Sequence, residues 1–206
     1  TLTQGRPVLT DILVLQAETV PAGFESTPIH PMSENELLRL VAIAESGSEH
    51  PLSQAILQRA YQTLGTVPHA DQFETYTGRG IKAYYLEDEI VVGTPALMYE
   101  LMIDIPSSAH EALNALKTHG KTAVVAAVNR QVSGVLGIAD TIRPETAEMV
   151  AELRRAGVQE IVMLTGDDPL TAQAIAAQAG IEQVQASLLP EDKLTAIRNL
   201  QAKGHV

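Results

Sequence analysis

A chain of 206 residues is long enough for one large domain or two modest ones around a true hydrophobic core. Its 14 basic against 25 acidic side chains give a formal charge of −11, which argues against DNA or RNA as a partner, and the 3% aromatic content without Trp leaves few platforms for stacking bases. The lack of Cys removes disulfides, thiolate metal sites and cysteine nucleophiles together.

In chain order, Val8 to Leu15 reads as a β-rich run and "PAGFESTPIHP", residues 21–31, as a loop. Ser33 and Glu36 have capping-box spacing ahead of Leu37, Leu38, Leu40, Val41 and Ala44, which predicts a helix. A second helix is expected over about residues 52–64. Glycine-punctuated β segments follow in "QFETYTG", "GIKAYYL" and "EIVVGT", and "ALMYELM" and "SSAHEALNALKTHG" read as helical. From Thr122 onward the pattern reads as strands alternating with helices: "TAVVAAV", "QVSGVLGIA", helix "PETAEMVAELRRAG", strand "EIVMLT", helix "PLTAQAIAAQAG", strand "QVQA" and helix "PEDKLTAIRNLQAKG". Such alternation predicts β-α-β units in a doubly wound parallel sheet for the last third. The middle reads as a separate antiparallel sheet with helices, inserted into that fold. No run reaches the ~18 apolar residues of a membrane span, and no signal-peptide pattern opens the chain, so it is expected to be soluble.

Three stretches carry chemistry. "GKT" at Gly120 to Thr122 resembles part of a phosphate-binding loop, but such a loop needs a strand before its glycines and a helix after them. Here a helix precedes and a β-rich run follows, so Gly120 reads as a helix stop. "EIVMLTGDDPLTAQ" is a stronger candidate. An apolar strand delivers Thr165, Gly166 and Asp167 to its carboxyl end, and Asp168 and Pro169 read as N-cap and first helical residue. The carboxyl edge of a parallel sheet is a usual ligand crevice, where a hydroxyl and helix amides suit a phosphoryl group. An ordinary β-α turn is an equally good reading of the same residues. Lys193, in the first turn of the next helix, falls near the same edge and could offset a phosphoryl charge; alone, it would read as a solvated Lys paired with Glu191 or Asp192.

"ESGSEHPLSQAI" joins two helices with His50 and Pro51 at the start of the second, and "YTGRGIKA" and "VVGTPALM" place Gly78, Gly80 and Gly93 in β segments. Glycines there mark a close approach of backbone to another strand or to a flat ligand. The remaining histidines, His30, His69, His110, His119 and His205, show no metal-ligand spacing and are expected on the surface or in loops.

Taken in order, "TLTQGRPVLTDI", "ESGSEHPLSQAI", "TGRGIKA", "VGTPALM", "GKTAVVAAV", "IADTIRPET", "VMLTGDDPLTAQAIAAQAGI" and "LLPEDKLTAIRNLQAKGHV" resemble the cytosolic catalytic unit of a P-type ATPase. The Ser-Glu-His-Pro segment points to its heavy-metal-transporting subgroup. The resemblance spans essentially the whole chain. It implies an α/β, haloacid dehalogenase-like phosphorylation domain, partial here, over residues 1–6 and 136–206, with an α+β nucleotide-binding domain inserted over residues 7–135. It implies ATP as substrate, ADP as product and Mg2+ as cofactor. The transmembrane and actuator domains of the same polypeptide would be partners, on the cytoplasmic side of a membrane. The chain itself is expected to be monomeric and free of an intrinsic transition-metal site.

By motif matching, Glu45, His50, Gly78, Gly80, Ile81, Gly93 and Thr94 correspond to the family's nucleotide site, Thr94 standing where the subgroup usually has Asn. A neutral imidazole can stack on or hydrogen-bond a purine, and Glu45 could accept from an adenine amino group. Thr165 and Gly166 would meet the transferring phosphoryl group, Lys193 would offset its charge, and Asp167 would approach nucleotide or Mg2+. The family's TGDN reads "TGDD", so Asp168 keeps the cap but adds negative charge near phosphate. The family's nucleophilic Asp of DKTGTLT and its GDGxND carboxylates are not among these 206 residues, so the chain is expected to bind ATP without forming an aspartyl phosphate. A soluble phosphohydrolase of the same fold and a non-catalytic nucleotide-binding module remain the alternative readings. The cargo could be Zn2+, Cd2+, Co2+ or Cu+, because selectivity belongs to membrane helices.

Overall fold

A computed structural model of the chain describes residues 2–15 and 32–202. The loop reading for residues 21–31, His30 and His205 lie outside the described residues. Two compact units emerge. The first comprises Thr1–Arg6, Asn114–Thr122 and Asp140–Val206, the second Pro7–Leu113 and Ala123–Ala139. Strands β1 (Thr3–Val14) and β6 (Gln131–Ile142) each begin or end in the first unit and run through the second.

The second unit is built on a six-stranded sheet of order β1-β6-β5-β4-β3-β2, with β2 (Gln72–Tyr76), β3 (Gly80–Tyr85), β4 (Asp88–Gly93) and β5 (Thr122–Val128). β2, β3, β4 and β5 pair antiparallel in succession. Helix α1 (Glu34–Glu45) starts as its sequence predicts. The Ser33 side chain accepts from the Glu36 N–H, and the Glu36 carboxylate accepts from the Ser33 N–H, completing a capping box. Helix α2 (Pro51–Leu64) begins with Pro at its first position after His50, where a missing N–H costs nothing. Both helices bury their apolar stripes on one sheet face. Leu37, Leu38 and Val41 of α1 and Ile56 and Ala60 of α2 meet Ile81, Ala83, Ile90, Val92, Val124 and Ala126. Each large aliphatic side chain buried there stabilises the unit by about 1.5–3 kcal/mol. The alternation of the strands turns Val91, Val125 and Ala127 to the other face, where they are also buried. On that face α3 (Pro95–Glu100) follows directly from β4.

One sequence expectation is corrected here. "TAVVAAV" and "QVSGVLGIA" do not open a parallel β-α-β series; as β5 and β6 they are neighbours in the antiparallel sheet. The two residues joining them, Asn129 and Arg130, both have positive φ, 49° and 65°. A two-residue link of that conformation makes a tight hairpin whose twist matches the strands. Asn129 stabilises it further: its carboxamide oxygen accepts from the Glu89 N–H at 2.9 Å and its Nδ2 donates to Asp88 at 2.8 Å.

The Ser107–Thr118 helix (α4), whose last residues from Asn114 belong to the first unit, ends in Gly120, with φ 74°, and a strand follows. "GKT" is therefore the helix stop that its context predicts. Past α5 (Thr146–Arg155), strands β7 (Val162–Leu164) and β8 (Gln183–Gln185) run parallel, separated by α6 (Pro169–Ala179) and followed by α7 (Pro190–Ala202). Their core joins Val150, Met163, Ala172, Ala176, Ala179 and Ile181. The alanines let α6 lie close, as β-α-β packing needs. Gly5, in β1, has φ 68°, and its N–H and that of Arg6 donate to the Asp140 carboxylate at 3.2 and 3.1 Å. No helix among the described residues is long and apolar enough to cross a membrane.

Candidate functional site

Two groups of the sequence-selected residues lie within the second unit. The first sits at the α1–α2 junction. Glu45, the last residue of α1, is 8% exposed, and its Oε2 accepts from Ser53 Oγ at 2.6 Å. Burial pushes this carboxyl above its ordinary value, against the opposing hydrogen bond from Ser53. His50 is exposed and caps α2, its Nδ1 accepting from the Leu52 N–H at 3.2 Å. The imidazole thus has one nitrogen committed to the helix and the other available. The loop between them is pinned from outside. A Cβ on Gly47 would lie 2.6 Å from the Phe73 ring, so the ring of β2 rests directly on the Gly47 backbone. Ser46 Oγ also accepts from the Ala70 N–H at 3.3 Å.

The second group is the β3–β4 hairpin. Gly80 and Gly93 are partners in its register. A Cβ on Gly80 would stand 2.2 Å from the Val92 carbonyl oxygen, one on Gly93 2.3 Å from that of Arg79, and either 2.8 Å from Leu97 Cδ2. Of the two close approaches left open by the sequence, the glycines make the one to a neighbouring strand, with Leu97 of α3 packed over the pair. Gly78 meets nothing and is required instead by its φ of 71°. The Ile81 side chain is buried in the α1–α2 core, and the residue is paired with Thr75 on one side and Val92 on the other. Thr94 caps α3, its Oγ1 accepting from the Leu97 N–H at 3.4 Å, and its N–H donates to Arg79 O at 2.7 Å. Arg79 forms an ion pair with Glu100.

The third group lies at the carboxyl edge of β7 and β8. The Thr165 N–H donates to Gln185 O, the Ser187 N–H to Asp167 O and the Leu188 N–H to Thr165 O, at 2.9 to 3.0 Å. The Thr165–Asp167 turn and the segment leading into α7 are therefore stitched together. Thr165 Oγ1 donates to Asp167 Oδ2 at 2.6 Å and accepts from the Asp167 N–H at 3.2 Å. Lys193 stands in the first turn of α7, its N–H bonded to Leu189 O. Asp192 accepts from the Leu189 N–H at 2.9 Å, so it caps α7 rather than pairing with Lys193. The ion pairs seen among the described residues do not include Lys193.

Asp168 caps α6 as predicted, accepting from the Leu170 N–H at 3.0 Å. Its other oxygen takes Lys117 Nζ at 2.9 Å. Partial burial works to raise this carboxyl, but the Lys117 ammonium and the Leu170 amide outweigh it and hold the group below its ordinary value. The sequence reading of Asp168 as an added negative charge missed Lys117 as its partner. Their separation of 51 positions leaves no local signal. Ser48 and Ser53 at the α1–α2 junction were missed too, as was Ser187, whose φ of 56° is unusual outside glycine. Among the described residues no cluster of three His, Asp or Glu side chains could hold a metal ion. Asp167, exposed and acceptor-only when ionised, can offer one hard oxygen. That suits Mg2+, which takes one or two carboxylates and otherwise waters and substrate phosphates.

Comparison with known proteins sharpens this picture. A model of the haloacid dehalogenase-like hydrolases matches residues 1–206. The chain is 37% identical over 204 residues to a copper-exporting P-type ATPase of Staphylococcus epidermidis, covering 99% of this chain and 23% of that protein. It is 32% identical over 206 residues to a manganese-exporting P-type ATPase of Mycobacterium leprae, covering 100% of this chain and 27% of that protein. The crystal structure of a zinc-transporting PIB-type ATPase in its E2.Pi state superposes with a TM-score of 0.65 at 34% identity, over 98% of this chain and 30% of that one. The chain spans about a quarter of the length of the curated relatives it matches.

Proposed function

The chain belongs to the haloacid dehalogenase-like hydrolase family, and from that premise we propose that it is the ATP-binding cytosolic portion of a heavy-metal cation-transporting P-type ATPase. In the whole protein, ATP hydrolysis would proceed through an aspartyl phosphate and drive metal across a membrane, with transmembrane and actuator domains as partners in the same polypeptide. The observation that carries this reading is the pairing of two things in one chain. One is a parallel β7/β8 edge presenting Thr165, Asp167 and Lys193. The other is an inserted antiparallel unit with a buried carboxylate and an exposed imidazole at one helix junction. A phosphohydrolase acting on a small substrate needs the first and has no use for the second. Relatives named as copper- and manganese-exporting pumps support the reading along the full length of the chain.

In this reading the residues divide the work. Glu45 accepts from the exocyclic amino group of adenine, and the imidazole of His50 lies against the base with its free nitrogen able to hydrogen-bond. The Gly78 turn, Gly80, the Ile81 backbone, Gly93 and Thr94 form the hairpin end that bounds the nucleotide, with Gly80 and Gly93 keeping that end narrow. At the phosphoryl edge the Thr165 hydroxyl exchanges Asp167 for a phosphoryl oxygen as acceptor, beside the Gly166 backbone. That exchange releases the Asp167 carboxylate, which would then hold Mg2+. The metal, when bound, neutralises phosphate charge. Lys193 offsets the remaining charge from the first turn of α7. Asp168 adds little repulsion because Lys117 already neutralises it.

An amide NMR titration of the 206-residue chain with ATP, ADP, AMP and GTP tests the reading. Adenine nucleotides should shift resonances around His50, Gly78, Gly80 and Gly93, and the His50→Ala variant should lose the effect. Shifts centred on Gly120 to Thr122, or no binding at millimolar ATP, would overturn it in favour of a soluble phosphohydrolase.

A further inference from the structure

Two serines outside the proposed nucleotide residues link two that are within it. The His50 N–H donates to Ser48 Oγ at 3.3 Å, the Ser48 and Ser53 hydroxyls lie 2.7 Å apart, and Ser53 Oγ reaches Glu45 Oε2 at 2.6 Å. A hydroxyl has one proton to donate. Since an ionised Glu45 can only accept, Ser53 donates to it and must accept from Ser48. The chain of bonds therefore has one polarity, running from the His50 amide to the Glu45 carboxylate.

Burial makes this relay consequential. Ser53 is 3% exposed and Glu45 8%, so water has little access to replace a lost donor. The two side chains come from different helices, Ser53 from the first turn of α2 and Glu45 from the end of α1. Their bond fixes the carboxylate relative to the helix that His50 caps. Desolvation alone would favour a protonated Glu45, and the Ser53 hydrogen bond opposes that.

We propose that Ser53 is a positioning residue that sets base specificity, holding one oxygen of Glu45 so that the carboxylate stays an acceptor aimed at the 6-amino group of a purine. This rests on the reading of Glu45 and His50 as the base pocket. Ser53 touches no ligand itself and acts through Glu45. Its loss should therefore be felt by ligands that donate to Glu45 and ignored by those that do not.

The test is isothermal titration of wild type, Ser53→Ala and Ser53→Thr with ATP and with purine riboside triphosphate, whose base lacks the 6-amino group. Ser53→Ala should weaken ATP roughly tenfold, the size of one lost hydrogen bond to a charged group, and leave the analogue within about twofold. Ser53→Thr, which keeps the hydroxyl, should recover most of the ATP affinity. Should Ser53→Ala prove misfolded by circular dichroism, Ser48→Ala, at a half-buried position, interrupts the same relay and should show the same selectivity in weaker form. Equal weakening of both ligands, or of neither, would overturn the proposal and leave Ser53 a packing residue. Failure of the wild type to bind ATP would overturn the base pocket itself, and with it this role.

Discussion

Gly80 and Gly93 face each other across the β3–β4 ladder so closely that a methyl group on either would strike the opposite strand, at 2.2 Å from Val92 O or 2.3 Å from Arg79 O. The obstacle is backbone, which cannot step aside as a flexible side chain can. Gly93→Ala should therefore cost about 2–4 kcal/mol of unfolding free energy, near the top of the range for point substitutions. Gly78→Ala meets no atom and suffers only from its left-handed φ, so about 1–2 kcal/mol is expected. Urea titrations of the two variants should separate them; equal losses would show that the close approach at Gly93 costs no more than the strained φ at Gly78.

His50 has two duties that substitutions can divide. His50→Ala removes the α2 cap, at about 1 kcal/mol of stability, and should weaken ATP by about 1–2 kcal/mol. His50→Asn restores a side chain that caps well without an aromatic ring. It should regain the stability and leave ATP binding weak, as read by thermal melts and calorimetry on the same samples. Recovery of both would mean that the ring contributes only as a cap.

Glu45 is set for function at a cost in stability. Its carboxyl is raised by burial, so the folded state holds the proton more tightly than the unfolded chain does. Stability linked to this group is therefore full below the ordinary glutamate range and declines as pH rises through the raised value. Glu45→Gln removes that decline and keeps an acceptor for Ser53. The variant should melt higher than wild type at pH 8, with the gap closing toward pH ~4, while binding ATP less well. A melting difference that does not vary with pH would contradict the account.

The Lys117–Asp168 pair has the opposite sign. Asp168 is held below its ordinary value, so its contribution is present above the usual aspartate range and is lost as pH falls through the lowered one. The carboxylate is 38% exposed, so solvent screening limits the pair to about 0.5–1 kcal/mol. Lys117→Ala should cost that much at pH 7 and progressively less as the pH falls below the ordinary aspartate range, and the loss should shrink in high salt. Asp168→Asn keeps the α6 cap, and adding Lys117→Ala to it should cost nothing further.

What the sequence made readable were features whose cause is local. The Ser33/Glu36 capping box, Pro51 and Asp168 at helix starts and Gly120 as a helix stop all follow from a few neighbouring residues, and all are present in the fold. The Thr165–Asp167 turn was foreseeable because a parallel strand delivers its carboxyl end to the helix that follows it. The β5–β6 hairpin was not, since Asn-Arg lacks the glycine that usually announces two positive φ angles; the Asn129 bonds to Asp88 and Glu89 hold the turn instead. Lys117 and the Ser48–Ser53 relay were equally hidden. A side chain that acts by meeting a partner folded onto it from elsewhere leaves no periodicity to read.

The Phe73 ring resting on Gly47 has a practical consequence of an optical kind. The protein contains no tryptophan, so one introduced by Phe73→Trp would be its sole indole emitter. Phe73 is half exposed on an edge strand, where a larger ring finds room, and its ring abuts the loop joining Glu45 to His50. A change in that loop would then be legible as a change of colour and intensity in one indole, excited at the red edge where the five tyrosines absorb little.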